Sequence, residues 1–131
     1  MKAFVIATED RPGELARITE AMGRAGVNMT AIAGLTGEGA GMIGILASDE
    51  AGARGALRAA GIEAQELEAI RIALADEPGA LAKAARKLAA PGINVEFILS
   101  QGISHGKAVV VLAVNDARKA RSLLADLVVE D

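Results

Sequence analysis

The chain has 131 residues, 24% of them charged, and a formal net charge of −3. That acidic balance, without a basic run and with only Phe4 and Phe97 as aromatics, excludes ordinary nucleic-acid binding, which draws its affinity from Lys and Arg on phosphates. The absence of cysteine excludes a disulfide framework, a zinc-thiolate site and a thiol nucleophile, and 29 alanines leave a core of small volume.

Residues 2–8 are apolar and β-branched, the pattern of a short strand. Pro12 stands where a helix begins, because its fixed φ and missing N–H suit the first turn. Leu15, Ile18 and Met22 follow at helical spacing, and Gly26 sits where a helix C-terminal glycine belongs. Val27, Met29, Ala31, Ala33 and Leu35 alternate along a second strand. Gly37, Gly39 and Gly41 predict a hairpin turn, and residues 42–47 a third strand. A second helix is expected near 50–60, opened by Asp49-Glu50, and a strand over 62–67 closes the unit.

The same order then recurs. A shift of 66 residues lays Asp10-Arg11-Pro12-Gly13-Glu14-Leu15-Ala16 on Asp76-Glu77-Pro78-Gly79-Ala80-Leu81-Ala82, and Gly26-Val27-Asn28 on Gly92-Ile93-Asn94. Without a gap, Leu46 then meets Leu112, Ala51 meets Ala117 and Leu57 meets Leu123. The second copy is read as a strand over 69–75 and a helix marked by Leu81, Ala84 or Ala85, and Leu88. A strand through Ile93, Val95, Phe97 and Leu99 follows, then turns at Gly102 and Gly106 and a strand over 108–114. A helix near 116–126 opened by Asn115-Asp116 and a strand over 127–130 end it. The fold class expected is α+β: two ferredoxin-like βαββαβ units in tandem, 1–66 and 67–131, each an antiparallel sheet with helices on one face. Residues 108–114 are apolar on both faces, which implies that a second face or an edge packs against another unit. The segment 65–69 is read as a short linker. No apolar run approaches the ~20 residues of a membrane span, and the N-terminal apolar run stops at Ala7, so a soluble, cytoplasmic protein is expected.

The Asp-x-Pro-Gly-x-Leu segments, 10–15 and 76–81, join a strand to a helix. One reading is helix initiation, in which the Asp caps, the Pro starts and the Gly relaxes the turn. The other is an anion or zwitterion site: free N–H groups attract a carboxylate, Gly13 and Gly79 let a ligand approach, and Asp10 and Asp76 accept from an ammonium. Asn28 and Asn94 open the second strand of each unit, either as turn residues or as an amide completing a ligand cage. Gly39-Ala40-Gly41-Met42-Ile43-Gly44 spells G-x-G-x-x-G with Glu63 about 20 residues on, but it opens a strand pattern rather than a helix. His105, beside Ser104 and aligned with Gly39, reads as a solvated turn, and Lys83, Arg86 and Lys87 as a solvated helix face.

On these motifs each unit resembles an ACT domain, a small regulatory module of amino-acid metabolism, and the resemblance covers essentially the whole chain. It implies a non-catalytic protein without cofactor or metal that binds a free amino acid. It also implies that units pair side by side through the helix 1 and strand 2 edges, with the ligand at the seam. Carried over, the ligand residues are Asp10, Arg11, Pro12, Gly13 and Asn28, and Asp76, Glu77, Pro78, Gly79 and Asn94. Thr8 stands where some family members have a further polar residue. Leu74 replaces it in the second copy, and Glu77 replaces Arg11, so the two sites are unequal. The implied assembly is a homodimer. The alternatives are a regulatory subunit of a biosynthetic enzyme such as acetolactate synthase, or a dimerisation module without a ligand. One histidine, no cysteine and no tyrosine leave little from which to build an active site.

Overall fold

The structure, a computed structural model, describes residues 1–130. The expected end of the second unit, Asp131, lies outside them. The chain divides into two units, Lys2–Glu66 and the segment from Leu67 onward.

In the first unit, β1 (Lys2–Glu9) leads to α1 (Glu14–Arg24), then β2 (Met29–Gly37), β3 (Ala40–Ala47) and α2 (Glu50–Ala59). β3 lies between β1 and β2, antiparallel to both, so β2 is an edge strand. Phe4, Ile45 and Ile32 stand in register, as do Ile6, Ile43 and Gly34, and residues in register share a face of the sheet. Phe4, Ile6, Ile43 and Ile45 pack there with Ile18 and Met22 of α1 and Leu57 of α2. Ala21, Ala53 and Ala56 are also buried in this core, where a methyl-sized side chain lets helix and sheet approach closely.

The buried stripe of α1 is Glu14, Ile18, Ala21 and Met22. Leu15, expected in that stripe, is 55% exposed instead. The helix ends as expected, with the Val27 N–H donating to the Met22 carbonyl at 3.0 Å across Gly26. β2 starts two residues later than the alternation from Val27 predicts. A bulge between Met29 and Ala31 then moves Met29 into the register of Ile32, Gly34 and Thr36.

The second unit repeats the plan with β4 (Gln65–Ala75), α3 (Ala80–Ala89), β5 (Val95–Ser104), β6 (Lys107–Val114) and α4 (Ala117–Leu123). β6 lies between β4 and the edge strand β5. Its core joins Ile70, Ile72 and Leu112 to Leu88 of α3 and Ala120 of α4. Four expectations are corrected in this unit. Residues 62–67 and 69–75 do not form separate strands across a linker: Gln65–Ala75 is one strand, and it contains no glycine or proline to break it. Residues 127–130 form only an isolated bridge, Ile72 to Val128, held by Ala73 N–H to Leu127 O and Val129 N–H to Arg71 O, both 2.9 Å. α4 is also shorter than expected, and Asp116 alone caps it, accepting from the Lys119 N–H at 3.1 Å.

The fourth correction concerns the repeat itself. The pairing of β5 with β6 shifts between Ser100 and Ile103, so Gln101 and Gly102 occupy the place of Leu35 alone. Beyond that bulge the copies are related by 67 residues, not 66. Asp49 and Asp116 both cap a helix, Ala53 and Ala120 are both fully buried, and Leu57 matches the buried Leu124 rather than Leu123. His105 therefore corresponds to Glu38, not Gly39. Glu38 and His105 have φ of 55° and 52°, the first residues of two-residue hairpin loops that require positive φ. The G-x-G-x-x-G segment runs into β3, without the helix a dinucleotide fingerprint needs.

Candidate functional site

The loop from β1 to α1 carries Asp10, Arg11, Pro12 and Gly13. Gly13, at φ 96°, is the residue before the first turn of α1, and no side chain caps that helix. Gly79, at φ 86°, does the same for α3. Helix initiation by the loop Asp is thus corrected: a left-handed glycine turns the chain, and Asp10 and Asp76 stay exposed.

The carboxylate that ties the first loop is Glu14, only 7% exposed. Its Oε1 accepts from the Glu9 N–H at 3.0 Å and its Oε2 from Arg17 Nε at 3.1 Å. Arg11 reaches toward it at 3.9 Å and pairs with Glu9 at 2.7 Å. The Glu9 N–H, with the Arg17 and Arg11 charges behind it, holds the Glu14 carboxyl below the ordinary glutamate range, against the opposing effect of burial.

Beside this loop lies a cavity of about 490 Å³. Residues 8–11 and the first turn of α1 line one part, and residues 32–36 of β2 another. Its chemistry is divided. Thr8, Asp10, Arg11 and Thr36 are polar, while Leu15, Ile32 and Ile43 are apolar. Gly41 pairs with Thr8 in register, and a Cβ there would fall 2.5 Å from Thr8 Oγ1, so glycine leaves the room that the hydroxyl occupies. A second cavity of about 590 Å³ lies near Phe4 and α2, but its Arg54 is held in a bidentate pair by Glu66 at 2.6 and 2.8 Å.

Of the residues expected to bind ligand, Asp10 and Arg11 line the 490 Å³ cavity, as does Thr8. Pro12, Gly13 and Asn28 are not in its lining, and Asn28 is exposed just before β2. In the second unit, Asp76, Glu77, Pro78 and Gly79 are exposed ahead of α3. The Asn94 N–H donates to Asn115 Oδ1 at 3.0 Å, and its carbonyl accepts from the Asn115 N–H at 3.2 Å. Asn94 therefore anchors the start of β5 through its backbone. Glu14, Ile32 and Thr36 were not anticipated. A carboxylate at the first position of an apolar helical stripe is the signal that marks Glu14. Ile32 and Thr36 reach the cavity only through the register of β2 on β3, which a single strand's pattern does not carry.

Two units, each with three antiparallel strands, two helices and a glycine-turned loop feeding the first helix, define a tandem ferredoxin-like architecture. The family model for an ACT domain pair matches residues 1–129, and the chain belongs to that family. Among solved structures, protein BT0572 from Bacteroides thetaiotaomicron is 26% identical with a TM-score of 0.81, over 95% of this chain and 86% of that one. The ligand-free regulatory subunit of aspartate kinase from Thermus thermophilus is 22% identical with a TM-score of 0.65, over 95% and 87%. The corresponding Thermus flavus subunit is 23% identical at the same TM-score, also over 95% and 87%. These two share the fold. The search of curated proteins finds no match. Among the described residues, no helix is long and apolar enough to cross a membrane, and no group of three or more His, Cys, Asp or Glu is placed to hold a metal.

Proposed function

We propose that this chain is a non-catalytic regulatory protein that binds a free amino acid and passes its occupancy to a partner. The observation that carries the reading is the cavity beside the β1–α1 loop, where Asp10 and Arg11 lie next to the apolar Leu15 and Ile32. A zwitterion with an aliphatic body needs that combination: a carboxylate for the ammonium, a cation for the carboxylate, and apolar surface for the rest. Asn28 and Pro12 and Gly13 belong to the frame of this site, which a neighbouring ACT unit closes from the β2 edge. The exposed Leu15, Ile32 and Leu35 give that edge the apolar surface such pairing uses. Homodimers in the cytoplasm are the assembly this reading predicts.

The ligand regulates by binding two states of the assembly unequally, with a coupling of about 1–3 kcal/mol. A catalytic partner from amino-acid biosynthesis is the second reading. Regulatory aspartate kinase subunits share the fold, and an acetolactate synthase-like enzyme is another partner of this kind. Calorimetric titration of each of the twenty amino acids tests the proposal. Saturable binding of at least one at millimolar concentration or below is expected, and no heat from any contradicts it. Co-purification from native lysate separates a sensor from an enzyme subunit.

A further inference from the structure

We infer that of the two loops only that of the first unit recognises the amino acid, one per chain, and that Arg11 is the residue that makes that unit competent. The inference rests on the proposed function and assigns it to one of two sites that the repeat presents as equivalents.

The bulged register supplies the comparison. Thr8, Arg11, Glu14 and Thr36 of the first unit correspond to Leu74, Glu77, Ala80 and Ile103 of the second. Three of these exchanges remove a polar or cationic group of the cavity lining, and the fourth, Glu14 to Ala80, removes the carboxylate that ties the loop. Arg11, with its side chain 61% exposed at the mouth of the loop, pairs with Glu9 at 2.7 Å and would exchange that exposed partner for a ligand carboxylate. Glu77 reverses that charge beside Asp76, so a carboxylate arriving there meets two anions. Leu74 is 4% exposed and pairs with Ala108, so an apolar side chain stands where Thr8 pairs with Gly41 in the first unit. Ile103 is 65% exposed and offers no hydroxyl in place of Thr36.

The loops also differ in how they are fixed. In the first, the Glu9 N–H is taken by the Glu14 carboxylate, which fixes the loop from within the helix. In the second, Ala80 has no such group, and the loop closes on itself: the Glu77 N–H donates to Ala75 O at 2.9 Å and the Ala80 N–H to Glu77 O at 3.4 Å. Those two donors are turned to the backbone. The second unit thus keeps the ACT frame, with Gly79 and Asn94 in place, and loses the recognition chemistry.

Calorimetry on the full chain, with each of the twenty amino acids as probe, reads this directly. The expected stoichiometry is one amino acid per chain. Arg11→Glu weakens that binding at least tenfold, and Arg11→Lys recovers part of it, while circular dichroism shows both variants folded. Two equivalents per chain, or unchanged affinity in Arg11→Glu, overturns the inference and leaves the function standing. No heat from any amino acid overturns both.

Discussion

Glu14 stands where the helical stripe calls for an apolar side chain, and the loop depends on it. Its carboxylate is buried, accepts the Glu9 N–H and faces Arg17 and Arg11. Because these contacts hold its folded pKa below the unfolded value of about 4.3, its stabilisation is complete above that pH. It is lost as pH falls through the lower folded value. Glu14→Gln keeps an acceptor for the Glu9 N–H but loses the charge toward both arginines. We expect the variant to be less stable at pH 7 and to lose less on acidification to pH ~3.5 than the parent chain. Urea unfolding at the two pH values checks this. Equal acid sensitivity in both proteins would remove Glu14 from the account.

At the scale of elements, the strand β5 shows what a single extra residue does. Because side chains alternate with period two, an uncompensated insertion would turn the rest of β5 onto the wrong face. The bulge at Gln101-Gly102 absorbs it, and Ile103 still pairs with Ala108. Gly102 has φ 84°, a conformation that costs other residues about 1–2 kcal/mol. Gly102→Ala is therefore expected to destabilise the protein by about that amount. The open space around its Cβ position means that backbone strain, not a clash, is the cause. Chemical denaturation measures it, and an unchanged midpoint would contradict the bulge assignment.

The elements themselves were legible in the sequence wherever a local rule acted alone. Pro12 and Gly13 announced a helix start, Gly26 a helix end, Asp49 a cap, and the β-branched run at 108–114 an internal strand. What was not legible depended on pairing between strands. The bulges at Met29 and Gln101 leave no mark in a single strand's alternation, since the extra residue is defined only by its partner strand. The missing fourth strands have a different cause. Gln65 to Ala75 contains no breaker, so strand propensity continued through the expected linker, while residues 127–130 keep only one bridge. The loop residues Asp10 and Arg11 were legible as site candidates because the motif occurs twice. Thr36 and Ile32 were not, because only the register of β2 brings them to the same cavity.

On the scale of the whole molecule, the duplication explains a small alanine-rich chain. Each unit has one modest core, built on Phe4, Ile45 and Met22 in the first and on Ile70, Leu112 and Leu88 in the second. Units of this size bury a small fraction of their surface and gain from association. Duplication also lets one copy change while the other keeps its chemistry, and the exchange of Arg11 for Glu77 is the clearest instance. The central claim is that a free amino acid occupies the cavity between the β1–α1 loop and β2. A crystal structure of the full chain with the amino acid found by calorimetry tests it most directly. The account predicts density for that amino acid beside Asp10, Arg11 and Ile32. Density in the Arg54–Glu66 cavity, or at the second loop beside Glu77, would contradict it.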